Sequence, residues 1–561
     1  MIEQRWYKNT IIYSLALESF LDSTGDGVGD FAGLLKRLDY LQGLGIGAVW
    51  LMPFHPSPRR DHGYDVNDYY NVDPRYGSLG DFVEFTHACR TRGMRVMMDL
   101  VLNHTSDEHP WFQAAVNDPT SKFRDFYIWA DEKPKDANKG VVFPGVQEST
   151  WTFHKKAKSW YFHKFFEFQP DLNIANPQVQ AELLKIIGFW LEMGVSGFRM
   201  DAVPFLIAAD GIHVKDADPA YDFLRRIREL AQWRKGDAVF LAEANIPPED
   251  CLKYFGESGD RLHMMFNFPV NQTLFYALAG QDTRPLREKL EASRALPQTA
   301  QWAHFLRNHD ELDIGRLPDD QRQKVFAEFG PEEDMQLYGR GIRRRLAPML
   351  GGDRRRLELA YSLMLTMPGT PVIRYGDEIG MGDDLTLPER EAARTPMQWS
   401  AERNAGFTPS DDPVRPVIAE GPYGYRTVNV ARQRAEEGSL LNWTERMLRM
   451  RKELPEIGHG SYTILPSPPH ILAMCYVFEG NTSVFVHNLA ERRIDFRVHE
   501  LPDDCANRPL VCLQTNQAVR PDEEGCYDIV MEPSGYYWFR LGGLEDMIEG
   551  DEPSADMPRA G

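Results

Sequence analysis

The chain has 561 residues, enough for two or three domains, and 42% apolar with 12% aromatic residues, enough for a large core. Its formal net charge of −20 excludes nucleic acid and anionic membranes as partners, because both are held by a basic surface. The six cysteines, at 89, 251, 475, 505, 512 and 526, follow no metal or redox spacing, the opening MIEQRWYKNT holds no apolar leader core, and no apolar run reaches the roughly 18 residues needed to span a bilayer. These features predict a cytoplasmic protein with reduced thiols and no membrane partner.

The first strand is predicted at TIIYSLAL (10–17). Behind it comes DSTGDGVGD, with side-chain oxygens at Asp22, Thr24, Asp26 and Asp30 and glycines at 25, 27 and 29 that let the chain curl. Carboxylates spaced this way suit Ca²⁺ or Mg²⁺; the competing reading is a polar turn whose Asp30 caps the next helix. A helical stretch follows at 31–44, then a strand at GAVWLM (47–52), a helix at 79–93 and a strand at RVMMDLVL (95–102). Residues 104–176 break the rhythm and read as a subdomain inserted after the third strand. Strands resume at GFRMD (197–201), AVFLAE (238–243), MMFNF (264–268), HFLRN (304–308) and PVIRY (371–375), with a second long excursion at 311–350. The basic runs Arg343–Arg345 and Arg354–Arg356 read as solvated helix faces.

Eight near-continuous apolar strands alternating with helices predict a (β/α)8 barrel, an α/β fold, spanning 1–103 and 177–450. From 451 to 545 short β-runs with turns predict an all-β sandwich domain, and 546–561 is an acidic tail with the composition of disorder.

Barrel active sites lie at the C-terminal ends of the strands. Asp99, Asp201, Glu243 and Asp310 all fall there, with His104, Arg199 and His309 beside them. In GFRMDAVPF, Arg199 and Asp201 are two residues apart on one strand, so both point to the same face. A cation there favours an ionised aspartate, ready to attack. Two carboxylates about 5–5.5 Å apart perform retaining glycoside chemistry, one as nucleophile and one as acid/base.

The segments DLVLNH, QPDLN, GFRMDAVPF, LAEAN and FLRNHDE, in this order, resemble the conserved regions of the α-amylase superfamily, glycoside hydrolase family 13. The resemblance implies that Asp201 is the nucleophile, Glu243 the general acid/base and Asp310 the transition-state stabiliser. It gives Arg199 the orientation of Asp201, and His104 and His309 hydrogen bonds to the sugar. Asp61 and Tyr64 in DHGYD become the sugar-binding acid and the stacking aromatic. The Val28 carbonyl completes a structural calcium loop, and a second calcium lies near Asn103 and Asp171, where Ala208 stands in place of an expected Glu. No organic cofactor is implied.

NHTSDEHPWF, FLRNHDEL, GIRRRLAPML, YGDEIGMGD and RTPMQWS further resemble the subgroup that converts maltose to trehalose, with Arg394 binding substrate. That resemblance implies a disaccharide substrate and an intramolecular transglucosylation through a covalent glucosyl-Asp. The alternative is an α-glucosidase or amylase-type hydrolase with the same catalytic residues. A non-catalytic scaffold is opposed by the presence of all three carboxylates. Two segments depart from the subgroup: Pro388–Trp399 reads PEREAARTPMQW, and Arg374 replaces an aromatic before YGDE. A homo-oligomer is left open.

Overall fold

The computed structural model describes residues 2–207, 218–501 and 508–542. Eight parallel strands close into a barrel: β1 (Ile12–Leu15), β2 (Ala48–Leu51), β3 (Arg95–Leu100), β4 (Gly197–Met200), β5 (Val239–Ala242), β6 (Met264–Phe266), β7 (Gln301–Phe305) and β8 (Thr370–Arg374). Each pairs with its neighbour in chain order, and β8 pairs back onto β1, Ile12 opposite Val372. The strands are buried on both faces, which explains their continuous apolar character. One face fills the barrel with Ile12, Trp50, Met97, Val239, Leu241, Met264, Phe266, Phe305 and Val372. The other packs against the surrounding helices.

Local chemistry sets where the helices start. Ser78 and Asp81 form a reciprocal capping box for the helix Leu79–Thr91. Asn176 caps the helix Pro177–Glu192, whose first residue is the proline that suits that position. Asp353 caps Arg354–Thr366.

Three expectations shift. The seventh strand lies at Gln301–Phe305, three residues earlier than the run HFLRN suggests, because Arg307 beyond it turns away to donate to the Arg344 and Asp310 carbonyls. The helical stretch 31–44 is two helices, Phe31–Leu35 and Leu38–Leu44. The run Arg343–Arg345 is no solvated helix face: it lies ahead of the short helix Leu346–Met349, and Arg345 is fully buried against Asp377 at 3.1 Å.

Between β3 and β4 a three-stranded antiparallel sheet forms from Trp129–Ala130, Ser159–Phe162 and Trp151–His154. After β7 the excursion builds a second small sheet from Leu312–Asp313, Gly341–Ile342 and Gln336–Leu337. Both stand over the C-terminal rim. The C-terminal part packs a six-stranded sheet against the hairpin-like pair Ile494–Val498 and Tyr527–Met531, around a core of its own. Its other face shares the main core: Leu472, Met474, Tyr476, Phe485 and Trp538 pack with the barrel's helices. The tail predicted at 546–561, Ala208 and Cys505 lie outside the described residues. Among the described residues, no helix is long and apolar enough to cross a membrane.

Candidate active site

The site grows from the inner face of β4. Asp99 on β3 sits opposite Arg199 in register, and Arg199, 1% exposed, sends Nη1 to Asp99 Oδ1 at 2.6 Å and to Asp201 Oδ1 at 2.7 Å. Its Nη2 meets Glu243 Oε2 at 2.8 Å, just past the end of β5. One guanidinium therefore carries three carboxylates. Its flat face lies 5.5 Å from the Trp50 ring centroid and 5.7 Å from that of Tyr64. Immediately after Asp201 the chain turns sharply: Ala202 has φ +50°, and its N–H reaches Glu243 Oε2 at 3.4 Å. A non-glycine residue in that region stores strain, here between the two carboxylates.

Asp310, past the end of β7, completes the rim from the other side. Arg394 Nη2 and Arg390 Nη1 reach its Oδ1 at 3.0 and 3.1 Å, and His309 Nε2 lies 3.2 Å from its Oδ2. The Tyr64 hydroxyl sits 2.7 Å from His309 Nε2, and the two rings stack at 11°. Arg394 Nε donates to the His309 carbonyl at 2.8 Å. Gln169 donates to Asp61 at 2.8 Å. Above these groups opens a cavity of about 580 Å³, lined by Asp61, Tyr64, His104, Asp201, Glu243 and Asp310 among others. Arg199, His309 and Arg394 stand one layer behind that lining.

Burial sets the charge states. It pushes Asp201 up to about 6, against the pull of Arg199. It pushes Glu243 up to about 7, with Asp201 and Asp310 adding to the rise and Arg199 opposing it. Asp99 is likewise raised to about 6. Burial also acts on Asp310, yet Arg390 and Arg394 outweigh it and hold that carboxyl far below the usual carboxylate range. The simple expectation that Arg199 keeps Asp201 strongly ionised is thus corrected. Burial is the larger effect, and the charges of Asp99, Asp310 and Asp61 add to it, so the pull of Arg199 is outweighed. The outcome is still a pair set apart: Asp201 ionises before Glu243. A carboxylate beside a second, more readily protonated carboxyl, with a third, charged acid opposite, has the parts that glycosidic-bond chemistry uses.

Family comparison agrees with this geometry. A model of the alpha-amylase catalytic domain matches residues 13–329 and 342–460. The chain belongs to the alpha-amylase family. It is 42% identical to a trehalose synthase of Thermus thermophilus over 99% of this chain and 58% of that protein. It is 40% identical to a trehalose synthase/amylase of Mycobacterium tuberculosis H37Rv over 96% of this chain and 90% of that one. The chain thus spans little more than half of the Thermus relative and nearly all of the mycobacterial one. Among solved structures, the trehalulose synthase MutB of Pseudomonas mesoacidophila MX-45 superposes with a TM-score of 0.75 at 27% identity, over 96% of this chain and 99% of that one.

The remaining predicted positions of this alpha-amylase family chain separate into two places. His104 faces the cavity; burial lowers it to about 3, so it is neutral, and its Nε2 is buried without a partner. The loop of Asp22 lies away from the cavity. Asp22 Oδ1 accepts the N–H groups of Thr24 and Gly25, and its Oδ2 accepts that of Gly27 and the Thr408 hydroxyl. Asp26 accepts from Val28, and Asp30 accepts from Ser23 and caps the next helix through Gly33. Among the described residues no cationic side chain pairs with Asp22 or Asp30, though both are buried. Their oxygens are taken up by the loop's own donors and the Thr408 hydroxyl, the arrangement of a polar turn, and Asp22, Asp26 and Asp30 do not gather into one cluster, so a cation would have to displace those donors. Asn103 and Asp171 do meet, both buried, and burial raises Asp171 to about 7. The run that would complete a second site, including Ala208, lies outside the described residues.

Two rim residues carried no role in the sequence reading. Arg390 touches Asp310, and Glu311 receives Arg390 Nε at 2.9 Å. Both sit in quoted motifs, but only the fold brings positions 79 apart in sequence together.

Proposed function

We propose that this enzyme interconverts maltose and trehalose by intramolecular transglucosylation with retention. The observation that carries the reading is the trio held by Arg199 and Arg394: Asp201, Glu243 and Asp310, all facing one cavity. The trehalose synthase names of its relatives supply the substrates.

In this reading Asp201 attacks the anomeric carbon and becomes a glucosyl ester. Glu243 gives its proton to the leaving oxygen. Asp310, with its charge fixed by two arginines, stabilises the positive charge that develops on the sugar. Asp61, His104 and Tyr64 bind the sugar that stays on the enzyme, with His309 and Arg394 bracing them from behind. The freed glucose turns in the cavity and its anomeric hydroxyl attacks the ester, returning a proton to Glu243.

The second reading is hydrolysis of α-1,4-glucosides, favoured by the word amylase in the mycobacterial relative's name. Incubation with maltose and quantification of both products decides. Trehalose as the main product supports the isomerase; glucose alone would replace it with the hydrolase.

Calcium belongs to the same proposal, as a structural ion bound by Asp22, Thr24, Asp26, Asp30 and the Val28 carbonyl, cross-linking the loop without entering the chemistry. A second ion at Asn103 and Asp171 is proposed with it. The cytoplasm is the proposed location, in keeping with thiols outside any disulfide at Cys89, Cys251, Cys512 and Cys526.

A further inference from the structure

Three chain segments meet over the cavity mouth, and one side chain touches all of them. Arg390 extends from the 3₁₀ turn Glu389–Ala393 that follows β8. Its Nη1 reaches Asp310 at 3.1 Å and its Nε reaches Glu311 at 2.9 Å. Its planar face lies 4.9 Å from the centroid of Phe143, which comes from the insertion after β3. It lies 5.6 Å from the centroid of Tyr338, at the tip of the small sheet after β7. The two rings are themselves in contact, 5.2 Å apart. Only guanidinium can bind two carboxylates with its edge while stacking on rings with its face; an ammonium cannot do both.

The backbone around this contact is strained on both sides. Glu389 has φ +42° and Tyr338 has φ +54°, left-handed values that neither side chain favours. Arg343 donates to the carbonyls of Leu387 at 2.7 Å and Glu389 at 3.2 Å, pinning the turn from which Arg390 projects. Structure is invested in presenting this guanidinium to the mouth.

We propose that Arg390 is a specificity-determining clasp, holding the insertion, the post-β7 sheet and the post-β8 turn together so that the freed sugar stays and water stays out. This rests on the isomerase reading above. Two acceptors compete for the glucosyl ester of Asp201. In either case the acceptor oxygen bonds to the anomeric carbon, the ester C–O bond breaks, the carboxylate leaves with the electron pair, and the acceptor's proton passes to Glu243. Water yields glucose; the retained sugar yields a disaccharide. Closure decides between them.

The test is the ratio of initial rates of glucose and trehalose formation from maltose. A variant that merely misfolds loses both rates together and leaves the ratio unchanged. Arg390→Lys keeps the charge beside Asp310 but loses the stacking face; Phe143→Ala keeps both ion pairs but removes a ring. Each is expected to raise the glucose-to-trehalose ratio about tenfold or more, equivalent to about 1.4 kcal/mol, while Phe143→Tyr restores it. A ratio unchanged in both variants while their rates are retained, from a parent enzyme that does isomerise, overturns the clasp alone. A parent enzyme that makes no trehalose overturns the isomerase reading and the clasp with it.

Discussion

Arg199 is the residue on which the site's proton chemistry turns. It contacts Asp99, Asp201 and Glu243 together, but their burial outweighs its attraction, so all three sit above the usual carboxylate range. The sign of the pH dependence follows. In the proposed mechanism activity needs Asp201 ionised, so it should fall as pH drops through about 6. It needs Glu243 protonated, so it should fall as pH rises through about 7. A narrow bell in kcat/KM is the expected profile, its limbs belonging to the coupled cluster rather than to either acid alone. Arg199→Lys, which leaves at least one acid without a partner, should shift both limbs upward; a profile that stays put would refute the shared-guanidinium account. Asp201→Asn should lower maltose turnover by about 10³-fold or more, the scale of losing one preorganised charged group. In the proposed mechanism the same wiring would switch Glu243 between its two duties. Once Asp201 is esterified its charge is gone, and with it one of the forces that raise Glu243. The acid then gives up its proton more readily, as a base must.

At the scale of elements, the loop Asp22–Asp30 is the most testable. Gly27 has φ +94°, and a Cβ there would come within 2.0 Å of the Asp412 carbonyl oxygen, so Gly27→Ala should open the loop and lower the melting temperature. Added Ca²⁺ should raise that temperature, by the equivalent of about 2.7 kcal/mol at a hundredfold excess over Kd. A chelator should reverse it, and the Gly27 variant should not respond; a calcium-blind parent protein would remove the ion from the proposal. Elements such as β2 and β5 were legible in the sequence because burial on both faces writes itself as an unbroken apolar run. The strand-end acids were legible because they interrupt such runs. The start of β7 was missed because its polar Gln301 faces a buried partner, the Gly458 carbonyl, that no local pattern reveals. Arg345 was misread for the same reason: its partner Asp377 is 32 residues away. The roles of Arg390 and Glu311 depend on contacts between separate excursions, and periodicity carries no trace of those.

At the scale of the whole molecule, barrel and C-terminal sheet are joined through one core. Trp538 is fully buried, donates to Ser362 Oγ at 2.8 Å on a barrel helix and packs edge-on against Phe485. Trp538→Ala should cost about 3–5 kcal/mol, and calorimetry should show a single transition moving down as a whole; a separate early transition would mean that the C-terminal part melts by itself. The barrel's own seam has a further consequence. β1 is finished on one side by β2, some thirty-five residues on, but on the other only by β8, where Ile12 meets Val372. During synthesis at about 5–20 residues per second, the first strand therefore waits for many seconds with an open, apolar edge. Over that interval the unpaired edge of the first strand is the part of the growing chain most exposed to aggregation.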